Sequence, residues 1–263
     1  MATIQKYSGL AFVFAVLSVV LLIFITLPLF KVLFSADKQI LLTTLQEQEV
    51  MASIGLTLRA SLYATITGLV FGLPLAYFLA RYDFVGKEFA EALIDLPVIV
   101  PHTAAGIALL SVFGRKFFLG RIFNSWGIGF MGSTAGIVLA MSFVSLPFLV
   151  NAAKEGFRSI DPRLERVART LGATPTRVFW DVTIPLSSRH IISGAIMMWA
   201  RGISEFGAVV ILAYHPMIAP VLIYERFNSF GLKYAQPVAV ILLAICLIIF
   251  FTLRVISRRQ KMY

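Results

Sequence analysis

From Leu10 to Phe30 the chain carries no charged side chain. About 20 consecutive apolar residues, rising 1.5 Å each, carry an α-helix across roughly 30 Å of hydrocarbon. The run is longer than a signal-peptide core of about 7–15 residues, and no small-x-small cleavage site follows it. It is therefore expected to be a retained membrane helix. Five further apolar stretches recur: Ala60–Ala80, Leu93–Phe113 with Pro97 and Pro101 inside it, a span within Trp126–Ala153, His190–Tyr214, and Tyr234–Leu253. A spanning segment must satisfy its own backbone N–H and C=O groups, and helices do this locally. The expected class is all-α, a polytopic membrane protein with six transmembrane helices.

Composition excludes the alternatives. Apolar residues are 59% and charged residues 14%, with mean hydropathy +0.88, against about 45–50% and about 25% in ordinary soluble domains. So few charges do not cover a soluble surface of this size. Cys246 is the only cysteine, which rules out a disulfide scaffold. The 23 phenylalanines rule out a disordered chain.

The net charge of +10 is unevenly placed. Lys6, Arg81, Lys87, Lys154, Arg158, Arg163, Arg166, Arg169, Arg177, Arg189, Arg254, Arg258, Arg259 and Lys261 fall on one side of the six expected spans. Only Lys31, Lys38, Arg115, Lys116, Arg121, Arg226 and Lys233 fall on the other. Short cytoplasmic loops carry the excess of Lys and Arg, so both termini and the 154–189 loop are expected in the cytoplasm. The basic residues are scattered among loops rather than gathered with aromatics on one soluble face, which removes nucleic acid as a partner.

The loop from Asn151 to Arg189 has internal order. Asp161-Pro162 reads as a helix cap followed by a first-turn proline, which has no N–H to leave unpaired. Leu164, Val167, Ala168 and Leu171 then share one helical face, and Glu165 and Arg169 are spaced for a surface pair. Gly172 ends the run where a left-handed residue is usual. Thr174-Pro175 opens a second helix with Val178, Phe179 and Val182 on its apolar face, and Pro185 is expected to stop it. Two short amphipathic helices of this kind either lie on a lipid surface, pack beneath the chain's own spans, or enter a groove on a partner.

The stretch Leu164–Gly172, with Val182-Thr183-Ile184-Pro185 following after nine intervening residues, resembles the EAA loop of ABC importer permeases. Arg166 stands in the Glu place of that motif, Val167 and Ala168 in its two Ala places, and Glu165 comes one position early. The segments Asp95–Gly106 and Arg201–Arg226 resemble the permease subunit of molybdate/tungstate importers; sulfate permeases share the Gly-x-x-Glu-Phe-Gly style of segment. The resemblance runs from about residue 53 to 257. It implies a division into an N-terminal span and extracytoplasmic loop (1–52), a permease core (53–257) and a cytoplasmic tail (258–263). It further implies a homodimer in a prokaryotic cell membrane, two copies of an ATP-binding ABC subunit, and an extracytoplasmic molybdate/tungstate-binding protein. The ABC subunit would grip Leu164, Glu165, Val167, Ala168, Leu171, Gly172, Val178, Phe179 and Pro185.

No Gly-x4-Gly-Lys-[Ser/Thr] occurs, since Gly86-Lys87 is followed by Glu88. On this reading the chain holds no cofactor and has no catalytic residues, and ATP–Mg belongs to the partner. Arg201 and Glu205 are four apart inside the fifth expected span. Charges at membrane depth are expensive, so the two are expected either to pair and steady a helix or to relay an ion. A relay would suit a gradient-driven transporter, but no internal inverted repeat is visible. His102, without Cys or His partners at ligand spacing, is expected in a helix–helix hydrogen bond rather than on a metal. Pro74, Pro97, Pro101 and Pro147 are expected to interrupt their spans.

Overall fold

The computed structural model describes residues 9–259, with side chains through Thr252. Lys6 and the end of the expected tail, residues 260–263, lie outside the described residues. Every element is helical: α1 Gly9–Phe34, α2 Lys38–Gln46, α3 Gln48–Arg81, α4 Lys87–Ile99, α5 His102–Phe113, α6 Phe118–Ser125, α7 Thr134–Arg158, α8 Pro162–Thr170, α9 Pro175–Val178, a π-helical turn Phe179–Thr183, α10 Ile184–Ile203, α11 Gly207–Leu212, α12 Ala219–Phe230 and α13 Leu232–Arg259. The molecule is an all-α multi-pass membrane protein. Its residues group into two compact units, 1–50 with 223–263, and 51–222.

In the smaller unit α1 has no buried residue, as expected of a helix bathed in lipid. The Gln236 amide donates to the Val32 carbonyl at 3.2 Å, and Arg226 pairs with Glu47 and, at 3.3 Å, with Glu49. In the larger unit α7 is the central helix. Its buried positions include Ile137, Ala140, Met141, Val144, Leu149 and Val150, and α10, α4, α5 and α11 all pack on it.

The spans differ from the expected six in two places. Four helices (α1, α3, α7 and the Leu232–Thr252 part of α13) are long and apolar enough to cross a membrane, and a fifth crossing is available if α4 and α5 form one span. Those two helices are bent by 115°. Pro97 and Pro101 remove consecutive N–H groups from one hydrogen-bond ladder, and Pro101 pushes Val100 into an extended conformation, φ −68° and ψ 132°. Pro74 and Pro147, each alone, leave α3 and α7 continuous, contrary to the expected interruption. The fifth expected span is also broken: α10 begins early, at Ile184, and ends at Ile203, and α11 starts at Gly207.

The two breaks are held together by small residues. A Cβ on Gly106 of α5 would lie 2.9 Å from the Ala208 carbonyl oxygen and 2.8 Å from Ile211 Cβ of α11. One on Gly207 would lie 2.6 Å from His102 Cβ. Close backbone approach of this kind is how small residues associate helices without a hydrophobic driving force. Gly106→Ala is therefore expected to lower stability in detergent by about 1–3 kcal/mol through overpacking against backbone. Gly55→Ala, facing only the flexible end of Arg59 at 3.8 Å, should melt with the parent chain. Equal melting temperatures for both variants would contradict the tight crossing.

Candidate functional site

The loop between α7 and α10 follows from local signals. The Asp161 carboxylate accepts from the Arg163 N–H at 2.9 Å and starts α8. The Thr174 hydroxyl accepts from the Arg177 N–H at 3.3 Å and starts α9. Between them Gly172 takes φ +91°, with open space where a Cβ would point. The second helix does not end at Pro185. It passes through the π turn into α10, whose first turn accommodates that proline. Within the π turn the Ile184 N–H reaches back to the Phe179 carbonyl, so the ladder is already displaced where Pro185 lacks a donor.

The expected face is split in two. Leu164, Val167 and Leu171 are exposed at 49%, 55% and 83%, beside the exposed Arg163, Arg166 and Arg169, with Ala168 half-buried. Val178 and Phe179 are not displayed with them. Val178 is buried, and the Phe179 ring packs edge-on against Tyr77 at 5.0 Å, within a cluster built on Phe157, Val150 and Ala153. In their place Trp180 is 60% exposed. The sequence signal for Trp180 is its position one step from Phe179, which turns it by about 100° away from the buried face.

Glu165 corrects a second expectation. It does not pair with Arg169 at the surface; it is 4% exposed and points inward. Its Oε1 accepts from Arg81 Nε at 2.9 Å, from Arg81 Nη2 at 2.7 Å and from the Thr183 hydroxyl at 3.0 Å. Its Oε2 accepts from the Tyr77 hydroxyl at 3.3 Å. Arg81 Nη2 also lies 3.4 Å from the Ile160 carbonyl. A buried charge survives only when paired and hydrogen-bonded, and this carboxylate has four donors from three side chains on two segments.

A second cluster joins the two helix breaks. Arg201, in the last turn of α10, donates from Nη2 to Glu205 Oε2 at 2.9 Å. Glu205 lies in the break itself, fully buried, rather than on a continuous helix, and its Oε1 accepts the Ala208 N–H of α11 at 2.9 Å. His102, the first residue of α5, places Nδ1 at 3.1 Å from Glu205 Oε2 and Nε2 at 2.8 Å from Arg201 Nη2. Arg201 Nη2 also lies 2.9 Å from His102 Nδ1, so the guanidinium nitrogen sits against both ring nitrogens. Among the described residues no three His, Cys, Asp or Glu side chains are grouped as a metal site. Asp95 accepts from Asn151 Nδ2 at 2.6 Å, and Arg59 donates back to the Gly55 carbonyl at 3.1 Å.

Comparison with known proteins places this geometry. Residues 68–262 match the family described as "binding-protein-dependent transport system inner membrane component". The chain is 46% identical to the molybdate/tungstate transport system permease protein of Pyrococcus furiosus, over 96% of this chain and 97% of that one. It is 42% identical to the protein of the same description from Methanocaldococcus jannaschii, over 92% and 94%. A probable sulfate transport system permease protein of Chlorokybus atmophyticus is 35% identical over 79% and 74%. Among solved structures, a bacterial alginate ABC transporter in complex with a substrate-bound periplasmic protein shares the fold, with TM-score 0.76 and 17% identity over 96% of this chain and 95% of that one. The methionine ABC transporter does so with TM-score 0.64 and 17% identity over 80% and 95%. This chain belongs to the family of binding-protein-dependent transport system inner membrane components.

Proposed function

We propose that the chain is the permease subunit of an ATP-driven importer for molybdate or tungstate, and that two copies enclose the pathway. The observation that carries this reading is full-length identity of 41–46% to archaeal permeases described for those oxyanions. The two copies sit in a prokaryotic cell membrane with both termini cytoplasmic, supported by the bias of basic residues toward one set of loops. An extracytoplasmic binding protein delivers the oxyanion. Two ABC subunits bind and hydrolyse ATP–Mg, and each docks on the loop through Leu164, Val167, Leu171 and Trp180, with exposed arginines at the rim. Apolar side chains this exposed beside charges suit a helix laid in a groove.

Reconstituted with its ATPase and binding protein, the chain should take up radiolabelled molybdate on ATP addition, with tungstate competing and excess sulfate having little effect. Uptake competed equally by sulfate would move the assignment to a sulfate permease, and uptake driven by an ion gradient without ATP would overturn it.

Gly172 sets the angle between α8 and α9. Valine at φ +91° costs about 1–2 kcal/mol, relieved by changing the angle between the first helix and the second, while nothing crowds its side chain. Gly172→Val is therefore expected to insert and dimerise but to retain its ATPase weakly and import little. Normal uptake with the ATPase attached would remove the loop from the mechanism.

The Arg201–Glu205–His102 cluster is assigned a steadying role, closing the α10–α11 break with its charges balanced. Glu205→Gln strands the guanidinium, at a cost on the order of a few kcal/mol, whereas Arg201→Met with Glu205→Met removes both charges. The single variant should yield less assembled complex than the double one. Two variants that both assemble fully yet carry no substrate would instead indicate an ion relay.

A further inference from the structure

The loop is continuous in sequence with α7 before it and α10 after it, but the end of α3 lies more than 80 residues away. Even so, α3 supplies two of the three side chains that bond Glu165, namely Tyr77 and Arg81. The third, Thr183, comes from the π turn that leads into α10. We propose that Arg81 and Glu165 are positioning residues for energy coupling: they make α3 move with α8 as one body, so that a displacement of the docking loop reaches α3 directly and not only through α7 and α10.

Three observations carry this. First, the contact is side chain to side chain, buried at both ends (11% and 5% exposed), and formed by charged groups with converging donors, so it resists shear better than an apolar contact. Second, Glu165 faces away from Leu164 and Val167, so the residues that dock and the residue that transmits alternate along one helix. Third, α3 has somewhere to deliver the motion. Its Leu58 carbonyl accepts from Trp199 Nε1 at 3.4 Å, and Ser61 faces Gly202, both in the last turns of α10 beside the Arg201–Glu205 break. A second route therefore runs from the loop to the break along α3.

The proposal rests on the importer reading above, and its test separates the two. Removing one member of the pair strands a buried charge and harms assembly whatever the role, so the informative variant is Arg81→Met with Glu165→Met. The complex carrying it is expected to assemble and to hydrolyse ATP, with at least about a tenfold rise in ATP consumed per oxyanion imported. An unchanged ratio would reduce the pair to a structural contact and overturn the proposal. Because the double replacement can itself cost assembly, the second measurement leaves both residues intact. In a Cys246→Ser background, spin labels at Tyr82→Cys and Thr170→Cys, both exposed, report the α3–α8 distance in the whole complex. The same distance is expected without nucleotide and with ATP bound, and a distance that changes with nucleotide would sink the rigid tie. A parent complex that imports nothing on ATP would instead refute the importer reading, with the tie still decided by the distances.

Discussion

Backbone polar groups in an apolar medium must find partners, and this chain breaks its helices at two places where that demand is most severe. At Val100–Pro101 and at Ser204–Phe206 the regular ladder stops. Water supplies the missing partners at the ends of soluble helices, but within hydrocarbon the protein must do so. The two breaks meet across Gly106 and Gly207, so each helix end is covered by the other. Glu205 then accepts an N–H of α11 while holding Arg201 and His102. The pairing of breaks explains why three ionisable groups gather there: the carboxylate closes a helix end, the guanidinium balances its charge, and the imidazole lies in contact with both. Removing the break would remove the reason for the charge.

The loop solves a different problem, which is to stay exposed and apolar without drifting. Short isolated helices are marginal, because nucleation costs more than a few hydrogen bonds return. Here α8 is nine residues and α9 only four. Their caps satisfy some free N–H groups, but placement depends on Glu165 below and on Val178 and Phe179 packed inward. Val178 and Phe179 thus anchor the loop, and Leu164, Val167, Leu171 and Trp180 are displayed.

Much of this was legible from local chemistry. The helix starts at Asp161 and Thr174 and the turn at Gly172 are short-range events, decided by a side-chain oxygen, a proline and a missing Cβ. The long apolar runs that became α1, α3, α7 and α13 were equally plain. What escaped depends on distant partners. Nothing near Glu165 announces Arg81, so the nearer Arg169 looked like the natural partner. Helical spacing put Val178 and Phe179 on one face, but only the Tyr77 and Phe157 rings determine that this face points inward. The prolines show the same limit: Pro74, Pro101 and Pro147 look alike locally, and what singles out Pro101 is Pro97 four residues earlier on the same ladder.

The two clusters are linked by a single element. Helix α10 is 20 residues long, about 30 Å at 1.5 Å per residue. Just before its start Thr183 bonds Glu165, and in its last turn Arg201 bonds Glu205. Along its length Gly194 lies against Leu149 of α7 and Met198 against Gly68 of α3. A close-packed helix of this length transmits displacement as a strut, because interiors at crystal-like density do not absorb it. With α3 running alongside, the loop and the break are joined by two struts rather than one. Two parallel struts attached at both ends resist the tilt that a single helix would allow. On the proposed coupling, a push at the loop would then appear at the paired breaks as translation or rotation of the α5–α11 crossing, where two interrupted helices meet.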